Sequence, residues 1–549
     1  MERAAAAVGL AERAPARALG GRVSGPVCAV GSGVALVASF APYSLSTLSL
    51  VALAPLFAAA AQSGWRGRIW LGWLCGVVAY GAGCSWAGVT IGRLQDTTPG
   101  IALALTALFA AWHALQFAVT AAIAGWLLSP EDAARDASPR PLGATVLAAC
   151  GCAGAWVSVE WAFPRVLPWS LGDLAAGIAP LRGAAALGGV WGLAFAAAAV
   201  NALIAGGWVA RRGDAAVRQW GAPLLVAATA LLASASVGRL TALRGPHDIG
   251  VARVALVQGA LPAGRDDLEG AIFRAWSTYA ALTEAIGARV DLVVWPEESL
   301  PVYLRDNPEF QQRLAGLAQR VGAPLLLGAL DRADDGSELN AAYVVPLHGA
   351  ADAGAAYHKS RLLAFGEYVP GAHWLPAASE WRTTGTFSPG AFRSVVTVPT
   401  SGDRDGTALL LAAALCVEGL QPGWFNRGVH DGAGALVALA DESWFGAGSA
   451  AEQHLAVLRL RAVETGRWLV RASNSGRSAF IDPSGVVVAE LPDGVPGVLI
   501  QTIGLRAGTT PYVVGGDWVV GTSAMMVVWA GWWRWRQGAA LSRRSRATA

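Results

Sequence analysis

Apolar positions are segregated along this chain. Residues 1–245 and 517–533 contain long, nearly unbroken apolar runs, whereas 250–505 alternates short apolar runs with polar stretches. A bilayer core requires about 20 mostly apolar residues per helix. Seven segments meet that length before residue 245, near 28–46, 47–64, 69–92, 100–128, 144–163, 183–210 and 222–241, and an eighth lies near 517–533. Pro42 leaves open that the first two form one tight hairpin. The segments lack the polar face that a helix on a soluble domain needs. The pattern therefore predicts a membrane domain over 1–245, an extramembrane domain over 250–505, a C-terminal span over 517–533 and a basic tail over 534–549.

Within 250–505 the periodicity is that of an α/β domain. Strands are predicted at 254–258, 291–295, 324–330, 344–346, 394–398, 407–415, 436–439, 468–472 and 478–481. Helices are predicted at 266–287 and 308–321, with an amphipathic one at 450–467. There is no internal repeat, and the only low-complexity stretch is the Ala/Gly-rich 349–356.

Composition sharpens this. The chain has 549 residues, 54% hydrophobic and 14% charged, against about 25% charged in average soluble proteins. A disordered chain, a nucleic-acid binder and an ordinary cytosolic enzyme are all poor fits. Arginine orients the bundle by the positive-inside bias. With a cytoplasmic N-terminus, the inner segments carry Arg3, Arg13, Arg17, Arg22, Arg66, Arg68, Arg135, Arg140, Arg211, Arg212 and Arg218. The tail adds Arg534, Arg536, Arg543, Arg544 and Arg546, while the opposite loops carry only Arg93, Arg165 and Arg182. Both termini then face the cytoplasm and the α/β domain lies outside. The first 25 residues are too polar for a cleaved signal peptide.

All but one of the 41 basic residues are arginine; the exception is Lys359. Cys28, Cys75, Cys84, Cys150 and Cys152 fall in membrane segments, where packing is the default role, and Cys416 stands alone in the α/β domain. No spacing suggests a metal site, and the seven histidines are scattered. Glu297 ends a strand in Trp295-Pro296-Glu297, Lys359 lies in a loop, and Cys416 directly follows the apolar run 408–415. Each has a bland reading: a solvated turn acid, a leftover cation, a packed thiol. Together they form a usable set, since a carboxylate can take the thiol proton, the thiolate can attack a carbonyl, and a compact ammonium can steady the oxyanion.

Those residues resemble the Glu-Lys-Cys triad of the nitrilase superfamily. The membrane segments narrow the resemblance to its membrane-bound branch, the apolipoprotein N-acyltransferases. Phe40-Ala41-Pro42, Leu53-Ala54-Pro55-Leu56-Phe57, Glu160-Trp161 and Pro168-Trp169 are similar to the family's membrane region. Phe365-Gly366-Glu367-Tyr368-Val369-Pro370, Asp441 through Gly446, Gln453-His454-Leu455, Arg461 through Glu464 and Arg471 through Gly476 are similar to its catalytic domain.

The resemblance implies an αββα sandwich facing the periplasm of a bacterial inner membrane, with no cofactor. It implies a ping-pong reaction in which Cys416 takes an acyl chain from a phospholipid. The thioester then passes the chain to the N-terminal amine of a diacylglyceryl-cysteine apolipoprotein. Glu297 is implied as general base and Lys359 as oxyanion partner, with Glu367 and Glu418 in support. Phe365, Tyr368, Trp374 and Trp424 are candidates to line a lipid passage, against the plainer reading of interfacial belt residues. Glu160, costly inside a membrane segment, is expected to make a helix-packing or headgroup contact. Two departures stand out: Val417 replaces the frequent aromatic after the nucleophile, and no Trp follows Gln258-Gly259 until Trp276. The alternatives are a membrane-tethered nitrilase or amidase that uses water, and a transporter with a structural outer domain.

Overall fold

The computed structural model describes residues 24–129, 142–209, 221, 232–240, 245–263, 267–348, 356–371, 381, 387–399, 408–446 and 448–547. Arg3, Arg13, Arg17, Arg22, Arg135, Arg140, Arg211, Arg212, Arg218, Trp374 and most of the 222–241 segment lie outside the described residues.

By length and apolarity, three described helices can cross a membrane: Pro99–Leu128, Gly143–Ala162 and Ala185–Val209. The pair Trp65–Gly83 and Trp86–Gln95, bent by 67°, supplies a fourth if read as one span. The described residues thus fall short of eight spans, for reasons that run length hides. The 28–46 segment is a 15-residue helix, Gly25–Ser39, about 22 Å at 1.5 Å per residue against a core of about 30 Å. Pro42 follows, and the chain turns back, Leu45 N donating to Ala38 O at 2.9 Å. The 47–64 segment is then split into a 3-10 turn, Ser46–Leu50, and a short helix, Ala54–Ala61. The C-terminal helix Trp518–Ala547 is long, but Trp, Gly, Ser and Thr dilute its apolar stretch. It docks on Gly143–Ala162 through Gly154, where a Cβ would sit 2.5 Å from Ser523 O. Buried Asn201 ties the helix Ala185–Val209 to the start of Ala54–Ala61, accepting from Leu53 N and Ala54 N at 2.8 and 2.9 Å.

Two sheets stack face to face in the α/β domain. The first comprises β1 (His247–Gln258), β2 (Leu292–Val294), β3 (Leu300–Tyr303), β4 (Leu325–Arg332), β5 (Glu338–Val345), β6 (Tyr357–His358) and β13 (Gly497–Ala507), in the order β13-β1-β2-β4-β5-β6 with β3 beside β4. The second runs β12-β11-β10-β9-β8-β7, from β7 (Val396–Pro399), β8 (Ala408–Leu415), β9 (Ala435–Ala440), β10 (Leu469–Ser473), β11 (Ala479–Ile481) and β12 (Val487–Glu490). The central strands β1, β2 and β4, and β8, β9 and β10, are parallel, which explains their continuous apolar runs. Val294, Leu326, Leu411, Val437 and Val470 fill the space between the sheets. Helices Leu268–Glu284 and Pro308–Val321 cover the first sheet.

The helix Ala450–Thr465 covers the second sheet and departs from expectation. It is not amphipathic: Gln453, His454, Arg461 and Glu464 are as buried as its leucines. It is wedged between the sheet and the membrane helices, leaving only the edge at Glu452, Ala456 and Arg459 partly exposed, and its polar groups are spent across that seam. Gln453 Nε2 donates to Ala41 O and Gly83 O, both at 3.0 Å, and Glu464 Oε1 accepts from Val190 N at 2.8 Å. That N–H is freed where Gly189, at φ +61°, breaks the helix.

Candidate active site

Each candidate catalytic side chain sits where a strand of one sheet meets the next turn. After β2, Trp295 buries its ring against Tyr279 at 5.1 Å and donates from Nε1 to Thr283 Oγ1 at 2.9 Å. Glu297 follows, almost fully buried. Gly328 on β4 permits this turn, because a Cβ there would lie 2.6 Å from Glu297 Cα. Lys359 follows the two-residue strand β6 and is fixed by its backbone, Lys359 N donating to Asn340 O at 2.8 Å. Its neighbour His358 bonds through Nε2 to Asp331 Oδ2 at 2.7 Å. Cys416 directly follows β8 and opens a 3-10 turn, Cys416–Leu420, at φ +51°. A non-glycine residue there is strained, and such outliers gather at functional sites.

These elements converge on one cavity of about 480 Å³ lined by Glu297, Lys359, Glu367 and Cys416. Lys359 Nζ donates to Glu297 Oε1 and to Glu367 Oε1, both at 2.8 Å. Glu297 is further held by Asn340 Nδ2 at 2.9 Å and, on Oε2, by Asp441 N at 3.1 Å. Glu367 Oε2 accepts from Leu363 N at 2.8 Å. Glu418 lies behind the wall and joins its two halves. Its Oε1 takes Ser360 N and Arg361 N at 2.7 and 3.0 Å, and its Oε2 takes Tyr357 O–H and Leu415 N at 2.7 and 2.8 Å. The lysine segment and the cysteine turn are thereby stapled through one buried carboxylate. Glu442, beside Asp441, is clamped by Arg471, by His454 Nδ1 at 3.0 Å and by Ser473 Oγ at 2.6 Å.

Burial raises the Glu297 carboxyl to about 7, with the Glu367 charge adding to it and Lys359 opposing. Burial, with Glu297 beside it, pushes the Cys416 thiol well up, against Lys359. Burial works against the Lys359 ammonium, but Glu297 and Glu367 overcome it and hold it charged. Burial also raises Glu418, with its hydrogen bonds pulling the other way. Burial would raise Glu442 too, yet Arg471 and His454 bring it down to about 2. The site thus holds a protonated thiol, a carboxyl that titrates near neutrality and a fixed cation, groups whose chemistry suits nucleophilic acyl transfer. Among the described residues no three His, Cys, Asp or Glu are placed to hold a metal ion.

Several expectations change here. Of the proposed passage rings, Phe365 and Tyr368 are exposed on the loop after Lys359. Trp424 turns away, donating to Ala413 O at 3.1 Å and packing on Phe392. The rings on the cavity wall are Trp444 and Phe445. Val417, the second residue of the turn that Cys416 opens, is buried. Trp276 packs on Phe310 on the far side of the first sheet, so it does not stand in for an indole after Gly259. Glu160 makes a packing contact, accepting from Leu171 N at 3.0 Å. Sequence reasoning missed Asn340 and the Asp441 N–H; Asn340 sits at the start of β5, which the apolar pattern places only from residue 344.

Residues 253–510 match a family model described as carbon-nitrogen hydrolase, and 32–203 match one described as the apolipoprotein N-acyltransferase N-terminal domain. The chain is 30% identical over 525 residues to an apolipoprotein N-acyltransferase of Azotobacter vinelandii, covering 92% of this chain and 94% of that one. It is also 30% identical over 507 residues to one of Geobacter metallireducens, covering 89% and 91%. Among solved structures, a mutant amidase from Nesterenkonia sp. AN1, with an acetamide moiety on its active-site cysteine, aligns with 49% of this chain and 94% of its own. Its sequence identity is 19% and the TM-score 0.34.

Proposed function

The chain belongs to the apolipoprotein N-acyltransferase family, and from that premise we infer that it N-acylates lipoproteins through a thioester on Cys416. The acyl donor is a membrane phospholipid and the acceptor the N-terminal amine of a diacylglyceryl-cysteine apolipoprotein. The observation that carries the mechanism is Lys359 Nζ lying 2.8 Å from both Glu297 and Glu367 in the cavity that holds Cys416.

In the first half-reaction Glu297 takes the Cys416 proton as sulfur attacks the ester carbonyl, and Lys359 donates to the oxyanion. The C–O bond then breaks, and Glu297 returns the proton to the departing lysophospholipid. In the second, the acceptor's amine attacks the thioester, Glu297 relays a proton from nitrogen to sulfur, and the thiol is restored. Glu367 keeps Lys359 charged and pointed; Glu418 sets the spacing between the lysine and cysteine segments.

Both substrates are lipids, and extraction costs about 0.8 kcal/mol per methylene, so a domain seated on membrane helices lets chains stay in the bilayer. We place that domain on the periplasmic face, with both termini in the cytoplasm. In support, Arg93 and Arg182, read as outer-loop arginines, bond to catalytic-domain carbonyls of Ser443 and Gly485 at 3.2 and 2.9 Å. A water-using amidase would share the site chemistry, but full-length similarity to acyltransferases favours transfer. Intact-mass measurement after incubation with phospholipid tests the reading. A single acyl adduct is expected, released by neutral hydroxylamine and missing in Cys416→Ala. No adduct with any phospholipid would refute it.

A further inference from the structure

The catalytic cavity has a larger neighbour. A second cavity of about 990 Å³ shares Glu298, Asp441 and Trp444 with it. Their unshared walls differ in kind. The catalytic cavity is bounded on one side by Thr90 and Leu94, from the shorter arm of the bent membrane pair. The second cavity is lined only by the α/β domain, including Leu261 after β1 and Ala271 on the helix Leu268–Glu284. It reaches water at Asp267 and Arg274, whose side chains are 66% and 54% exposed. The catalytic cavity is therefore walled on one side by the membrane domain, and the second cavity opens to solvent.

Charge and hydrogen bonding say what belongs at the junction. Glu297, Glu298, Glu367 and Asp441 line the catalytic cavity against one cation, Lys359. In the second cavity, Arg274 is already committed to Asp267 at 3.3 Å. An excess of carboxylates in a cleft favours a cationic ligand. Asn340, 1% exposed, supplies a vacant acceptor. Its Nδ2 faces Glu297 Oε1 at 2.9 Å, Glu367 Oε1 at 3.4 Å and Glu298 Oε1 at 3.5 Å. Ionised carboxylates only accept, so the amide must turn its nitrogen to them. Asn340 Oδ1 is then left with no hydrogen-bond partner among the described residues, a costly state unless something donates to it.

We propose that the junction of the two cavities, at Asn340, Glu298 and Asp441, binds the α-ammonium of the acceptor lipopeptide. The peptide that follows the lipidated cysteine runs out through the second cavity to water, while its acyl chains remain on the membrane side. This deepens the acyl-transfer reading and rests on it. The ammonium gives one proton to Glu298, which passes it to solvent along the second cavity. The neutral amine then forms the C–N bond as the C–S bond breaks, and the nitrogen's surplus proton reaches the Cys416 sulfur through Glu297. One amide, one thiol and one released proton balance the ammonium and thioester consumed.

The test uses full-length protein in lipid nanodiscs. Acyl adduct on Cys416 is measured first; its absence would sink the acyl-transfer reading on which the proposal stands. With the adduct established, a diacylated lipopeptide carrying benzophenone at its third residue is photolysed on Cys416→Ala protein and the crosslinks are mapped. Crosslinks are expected within 261–263 and 267–275. Crosslinks confined to the Leu363–Tyr368 loop or to the membrane helices would overturn the proposed path. Glu298→Gln is expected to raise the acceptor KM about tenfold and to change kcat less, with Glu298→Asp recovering part of the loss. An acceptor KM unchanged in Glu298→Gln would overturn the ammonium assignment, whatever happens to kcat.

Discussion

Replacing Glu418 by glutamine isolates the staple between the lysine segment and the nucleophile turn. The carboxylate takes Ser360 N and Arg361 N on one oxygen, and Tyr357 O–H and Leu415 N on the other. A glutamine amide keeps one acceptor. Its best orientation leaves the oxygen on Ser360 and Arg361, lets the Tyr357 hydroxyl rotate to accept, and sets its N–H against Leu415 N–H. The loss is one charge-assisted bond, about 1.5–3 kcal/mol, plus one unsatisfied buried donor, about 1–3 kcal/mol. Part of that cost is relieved by movement of the turn that carries Cys416. A shift of about 1 Å at a reacting atom costs roughly 100-fold in rate. Single-turnover acylation of Glu418→Gln, followed by intact mass, is therefore expected to be about 100-fold slow in protein that still unfolds cooperatively. Acylation within about threefold of wild type, less than 1 kcal/mol, would refute the idea that this carboxylate sets the geometry.

Lys359→Arg keeps the charge but replaces a point donor, buried between two carboxylates 2.8 Å away, by a longer planar fork. Acylation is expected to fall by roughly 100-fold or more, and near-normal turnover would remove Lys359 from the oxyanion. The third prediction is a pH dependence. Glu297 must be ionised to act as base and its carboxyl is raised to about 7, so acylation should climb with pH up to about 7 and then level off. Because its folded pKa lies above the ordinary 4.5, the folded state holds this proton more tightly, and stability is lost as pH rises from about 4.5 to about 7. Denaturant titrations across that window should show a smaller loss for Glu297→Gln; an unchanged slope would contradict the assignment.

Residue type and local pattern determined much of this protein. The strand ends that carry Glu297 and Cys416, the solitary Lys359 and the boundary of the α/β domain near residue 250 all follow from short-range regularities. Strand periodicity, run length and the chemistry of single side chains are written in neighbouring residues. The tertiary structure decided what depends on distant partners. Asn340 reaches Glu297 across 43 residues and the Asp441 N–H does so across 144, and no local signal marks either contact. The helix Ala450–Thr465 keeps only a narrow, partly exposed edge at Glu452, Ala456 and Arg459, because membrane helices cover most of the face that a soluble helix would show to water. Run length likewise left open whether the first two segments form one hairpin, since an apolar run records hydrophobicity, and the structure shows the chain turning back after Pro42 between two short helices. Composition marked the apolar membrane segments and local pattern the candidate reactive groups; packing alone set the distances between them.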